Sequence, residues 1–98
     1  MSLFTTRVEL HKNATSEDYK TLHTEMEKEG FSRTIRLDSE SVIYHLPTAE
    51  YNKSSDTLST EQILELAKKA AARTNKTFSV LVTKADGRRY WHNLEPVK

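Results

Sequence analysis

The hydrophobic period of this chain switches repeatedly between 2 and 3.6 residues, and the order of the switches restricts the fold more than any single motif. From Phe4 to His11 the period is 2: Phe4, Thr6, Val8 and Leu10 share one side, and Thr5, Arg7, Glu9 and His11 the other. That is the pattern of a half-buried strand. A helical stretch follows. Tyr19, Leu22 and Met26 recur at i, i+3 and i+7, Thr15 with Asp18 or Ser16 with Glu17 can serve its start, and Gly30 suits a left-handed C-terminal cap.

Phe31 to Leu37 and Val42 to Leu46 read as strands two and three, joined by the polar Asp38-Ser39-Glu40-Ser41. Pro47 closes the third strand because it cannot donate to a ladder. Thr48 to Leu58 reads as a polar connection in which Ala49 and Tyr51 pack locally. Ser59-Thr60-Glu61-Gln62 is a capping box, with the glutamine three residues after the serine. Ile63, Leu66, Ala67, Ala70 and Thr74 then follow at helical spacing, and Asn75 can end that helix in the left-handed region. Phe78, Val80 and Val82 alternate with Ser79, Leu81 and Thr83 as strand four. Asp86-Gly87 signals a tight turn, and Arg88 to Leu94 a short fifth strand.

The order βαββαβ plus a C-terminal strand predicts one α+β domain over residues 1–98. The expected form is a ferredoxin-like split βαβ sandwich, with both helices on one face of an antiparallel sheet ordered 4-1-3-2. Parity then places Val8, Leu10, Val42, Tyr44, Leu46, Phe78, Val80 and Val82 beneath the helices. The helix-free face would carry Arg7, Glu9, His11, Thr34, Arg36, Ile43, His45, Ser79 and Leu81.

Composition narrows the function classes. No apolar run approaches the ~20 residues that span a bilayer, and Met1 to Arg7 lacks an apolar signal core. The chain has no cysteine, which excludes disulfides, thiol nucleophiles and cysteine-ligated zinc. These features fit a cytoplasmic protein with no membrane partner. Net charge is +1, but it is unevenly spread: residues 1–58 sum to −3 and residues 59–98 to +4. The second half can therefore present a basic surface, although ordinary solvated charge gives the same asymmetry.

Among the side chains, Glu9, His11 and His45 are the types that move protons at neutral pH or hold a metal. Their spacing matches no metal signature, and the plainer reading is surface histidines on strands. His23 reads as a helix-flank residue. Arg33 interrupts the apolar row Phe31, Ile35, Leu37; it can reach solvent from an edge strand or be held for phosphate. Lys68, Lys69 and Arg73 form one basic set on the second helix. Lys84, Arg88 and Arg89, beside Tyr90 and Trp91, form another around the Asp-Gly turn, where cations can neutralise phosphates and aromatics can stack on bases. No cofactor motif is present, and a divalent metal has no specific support.

The segments Gly30-Phe31-Ser32-Arg33-Thr34-Ile35 and Tyr44-His45-Leu46-Pro47-Thr48-Ala49-Glu50-Tyr51, with the Leu3 to His11 strand, resemble a small bacterial and prophage family, the GhoS-like antitoxins of type V toxin–antitoxin systems. Length and element order match over nearly the whole chain. The resemblance implies a ferredoxin-like fold similar to the small CRISPR-associated endoribonucleases, a homodimer, and cleavage of single-stranded RNA. The CRISPR group uses an acidic residue near the end of strand one, where this chain has Glu9-Leu10-His11 and no aspartate. On this reading Arg7, Arg33, Arg36, Arg88 and Arg89 hold phosphates, and His11 or His45, with Glu9, handles protons. The competing expectation is a non-catalytic homodimeric module, of phage or bacterial origin, that binds a host or toxin-system protein.

Overall fold

The computed structural model describes residues 2–35, 42–47, 49–85, 94, 96 and 97. Its elements are β1 (Ser2–Leu10), α1 (Ser16–Lys28), β2 (Thr34–Ile35), β3 (Tyr44–His45), β4 (Glu50–Ser55), α2 (Thr60–Ala72) and β5 (Phe78–Lys84). The chain is an α+β protein with an antiparallel three-stranded sheet, β4-β1-β5, and a two-stranded ladder, β2-β3. No helix among the described residues is long and apolar enough to cross a membrane.

Both helices start where their sequences can satisfy exposed N–H groups. The Thr15 and Ser59 hydroxyls accept from the backbone N–H of Asp18 and Gln62, and those side chains accept from the cap N–H in return. Each such cap contributes about 1 kcal/mol. The Thr15 backbone N–H holds the Asp18 carboxyl below the usual range; burial opposes it, and the Thr15 hydroxyl and Lys76 assist. Gly30 leaves α1 at φ +87°, and Asn75 follows α2 at φ 63°. The two helices are joined by Arg73, whose guanidinium bonds Glu29 at 2.5 Å and Glu25 at 3.2 Å. Arg73 and Lys68 therefore have acidic partners, Glu65 in the case of Lys68.

The core lies between the helices and one face of the sheet. Phe4, Val8 and Leu10 of β1 pack with Leu22, Met26, Phe31, Tyr51, Ile63, Ala67, Ala70 and Ala71. Phe78, Val80 and Val82 are half-buried against this cluster. The alanines of α2 let the helix approach the sheet closely, while Leu22 and Met26 fill the space beneath α1.

The largest departure from the sequence expectation is β4. Residues 48–58 are not simply a polar connection: Glu50–Ser55 is an edge-to-edge partner of β1, register Thr6↔Tyr51 and Phe4↔Lys53. Its composition hides this because only one inward position is apolar. Tyr51 is fully buried. Lys53 Nζ donates to the Glu29 carbonyl at 3.1 Å, at the end of α1, and lies 5.6 Å from the Phe31 ring centroid. Ser55 Oγ accepts from the Thr57 and Leu58 N–H groups and turns the chain toward α2. A side chain at Gly30 would collide with Lys53 Nζ, so the glycine serves both the left-handed turn and this approach.

The expected second and third strands are shorter than their sequence limits among the described residues. Ser32 bridges Asn52 through backbone bonds of 2.8 and 2.6 Å, and Thr34–Ile35 pairs with Tyr44–His45. Val42, expected beneath the helices, is 42% exposed, because the place beside β1 is taken by β4. The Asp86-Gly87 turn and residues 88–93 of the expected fifth strand lie outside the described residues, as do Arg36, Arg88, Arg89, Trp91 and His92.

Candidate functional site

Among the described residues, the outward row of β1 builds the one constellation in which several candidate residues meet. β1 pairs with β5 in the register Arg7↔Leu81, Glu9↔Ser79 and Leu10↔Phe78. Because side chains alternate across a strand, Arg7, Glu9 and His11 stand on the same side as Ser79 and Leu81. His11 lies one residue beyond β1, and its backbone N–H donates to the Thr77 carbonyl at 2.8 Å. That bond carries the sheet direction one position further and sets the ring over β5. Lys12 and Asn13 then turn the chain away with φ of 56° and 62°.

The imidazole of His11 sits between two groups. Nε2 is 2.7 Å from Ser79 Oγ, a full hydrogen bond. Nδ1 is 3.6 Å from a Glu9 carboxylate oxygen, close enough for charge attraction but too long for a direct bond. Arg7, Glu9, Ser79, Val80 and Leu81 line an open hollow of about 310 Å³. Arg7 is exposed and no carboxylate pairs with it among the described residues, although Glu50 is its cross-strand neighbour on β4. The hollow therefore offers a cation, a carboxylate, a hydroxyl and the aliphatic Leu81, and His11 borders it through its contacts with Ser79 and Glu9. Such a set can bind a phosphate, accept a proton from a hydroxyl and rest a flat apolar group against Leu81.

The other candidates fall elsewhere. His45 is exposed on β3, which pairs with β2 rather than with β1. Arg33 is exposed near a second pair, His23 and Tyr51. The Tyr51 hydroxyl and His23 Nδ1 are 2.5 Å apart, and the rings are tilted at 56°. Burial pushes the Tyr51 phenol far up, with the Arg33 charge opposing. Burial, assisted by the same arginine and opposed by Glu27, holds His23 below the ordinary histidine value. This pair spans α1 and β4 and belongs to the packing of the core edge. Among the described residues, no three His, Cys, Asp or Glu side chains converge as a metal site.

Sequence parity placed Ser79 on the correct face but gave no reason to link it with His11. The two are 68 positions apart, and only the β1–β5 register brings them together. The His23–Tyr51 bond was equally hidden, because it depends on β4 being a strand. No family model matches the chain, and no curated protein or solved structure matches it.

Proposed function

We propose that this protein binds single-stranded RNA on the helix-free face of its sheet and cleaves it there, in the manner implied by its resemblance to the GhoS-like antitoxins. The observation that carries the reading is His11 Nε2 at 2.7 Å from Ser79 Oγ, with Glu9 beside the other ring nitrogen and Arg7 lining the hollow that Glu9 and Ser79 also line. Arginine is suited to a phosphate oxygen pair, and a histidine aimed at a hydroxyl is suited to proton transfer. The pairing of β1 with both β4 and β5, and the Ser32–Asn52 bridge beyond β4, support a ferredoxin-like split βαβ in which Glu50–Ser55 takes the third-strand place.

The test is incubation of the purified chain with a panel of labelled RNAs over a salt series, with and without divalent metal. Cleavage of unpaired RNA, and binding that weakens as salt rises, is the expected result. Neither binding nor cleavage of any RNA would remove the reading.

A second reading is a homodimeric interaction module of phage or bacterial origin, and one observation favours it: Leu81, on the edge strand β5 of the same face, is 65% exposed. A copy docking there would cover Leu81. Both readings allow a dimer, so the discriminating result is its interface: a dimer in light scattering that Leu81→Lys dissociates puts the interface on the face the RNA would need and favours the module.

A further inference from the structure

Resting on the RNA reading, we infer that this site acts only on strands with a ribose 2′-hydroxyl, and that it cleaves them by transesterification rather than by hydrolysis. The argument begins from the shape of the site. The hollow is open, and the groups around it are accessible: the side chains of His11 and Glu9 are 39% and 61% exposed. A site of this kind cannot exclude bulk water or hold one water molecule in a unique attacking position. It has little means of making an external nucleophile more effective than its neighbours. A nucleophile already attached to the substrate does not need such enclosure. Reactions within one molecule reach effective concentrations of about 10⁵–10⁸ M in good geometry, so most of the orientation cost is met by the substrate itself.

The 2′-hydroxyl of RNA is that nucleophile, and the site holds what its reaction requires. His11 Nε2 already meets a hydroxyl, that of Ser79, at 2.7 Å. The ribose hydroxyl enters at that position and Nε2 takes its proton. The 2′ oxygen forms a bond to the adjacent phosphorus as the bond from phosphorus to the 5′ oxygen of the next nucleotide breaks. The electron pair of the broken bond leaves with that 5′ oxygen, which takes a proton from solvent at the open face. The products are a 2′,3′-cyclic phosphate and a 5′-hydroxyl, with no atom added. Arg7, on the same hollow and without a carboxylate partner among the described residues, holds the phosphate oxygens while charge gathers on them. Glu9, 3.6 Å from Nδ1, favours the imidazolium that forms. Ser79 is a positioning residue: its hydroxyl holds the ring over β5 until substrate arrives.

Three strands of one mixed sequence test this: all-ribose, all-deoxyribose and 2′-O-methyl, each incubated with the full chain and analysed by mass spectrometry. The expected outcome is cleavage of the ribose strand alone, with 2′,3′-cyclic phosphate and 5′-hydroxyl ends. Cleavage of either other strand, or ends bearing 3′-hydroxyl and 5′-phosphate, overturns the inference and leaves the ribonuclease reading standing. Binding of the ribose strand without cleavage overturns the inference and reduces the function to binding. Neither binding nor cleavage overturns both. In a parallel arm, His11→Gln is expected to slow cleavage at least 100-fold while salt-dependent RNA binding and the circular dichroism spectrum are retained. Cleavage by His11→Gln at the parent rate would remove His11 from the mechanism.

Discussion

The two sides of β1 differ in almost everything except their backbone. On the inward side, Phe4, Thr6, Val8 and Leu10 are all buried, beneath α1 and α2. On the outward side, Arg7 and Glu9 are exposed, and His11 is half-buried with Ser79 and Glu9 against it. The inward row derives its stability from apolar area removed from water, at roughly 25 cal/mol per Å². The outward row derives little, since exposed ion pairs contribute on the order of 0–1 kcal/mol. Its residues are thus free to be chosen for chemistry. Thr6 is the exception on the inner side. Its hydroxyl is fully buried and has no hydrogen-bond partner among the described residues.

The comparison can be broken most forcefully from the inner side. Tyr51→Ala, which empties the largest fully buried side-chain volume, is expected to cost about 3–5 kcal/mol of unfolding free energy in urea titration. A loss below ~1 kcal/mol would show that β4 is not part of the core. Thr6→Val should act in the opposite direction and raise stability by about 1 kcal/mol, because it removes an unpaired buried hydroxyl at nearly constant shape. A destabilised Thr6→Val variant would mean that the hydroxyl is satisfied in solution.

A smaller effect concerns pH. The fold holds His23 below the ordinary value of 6.5, first by burial and then by Arg33, with Glu27 opposing. The unfolded chain therefore takes up this proton at a higher pH than the folded chain does. The stabilising contribution is complete above about pH 6.5 and is lost as pH falls through the lower, folded value. Urea midpoints at two pH values on either side of 6.5 should diverge less in His23→Gln than in the parent chain. Equal divergence would assign the pH dependence to other groups. The smallest change is expected on the outer row: Arg7→Gln and His11→Gln should each leave stability within about 0.5 kcal/mol. A larger loss in thermal melts would make that row structural.

Particular residues show why some of this was legible in the sequence. The caps at Thr15 and Ser59 and the left-handed exits at Gly30 and Asn75 are local events, decided by atoms a few bonds apart. The alternations along Phe4 to His11 and Phe78 to Thr83 are local as well, and together with the assumed core side they placed Arg7, Glu9, His11, Ser79 and Leu81 on one face. The strand Glu50–Ser55 was not legible, because Lys53 satisfies its inward position by capping α1 rather than by being apolar. Lys53 and Glu29 are 24 positions apart, beyond the reach of any periodicity. His45 was grouped with His11 by parity, but parity does not say which strands are neighbours.

The sequence by itself determined the α+β class, the two helices with their ends, and the sidedness of β1 and β5, since each follows from short-range sterics and hydrogen bonding. Only the tertiary structure decided that Glu50–Ser55 lies beside β1, that Tyr51 meets His23, and that Ser79 stands under the imidazole of His11. Those outcomes depend on strand neighbour and register. Both are settled by how the whole apolar surface is best buried, not by any residue's own preference.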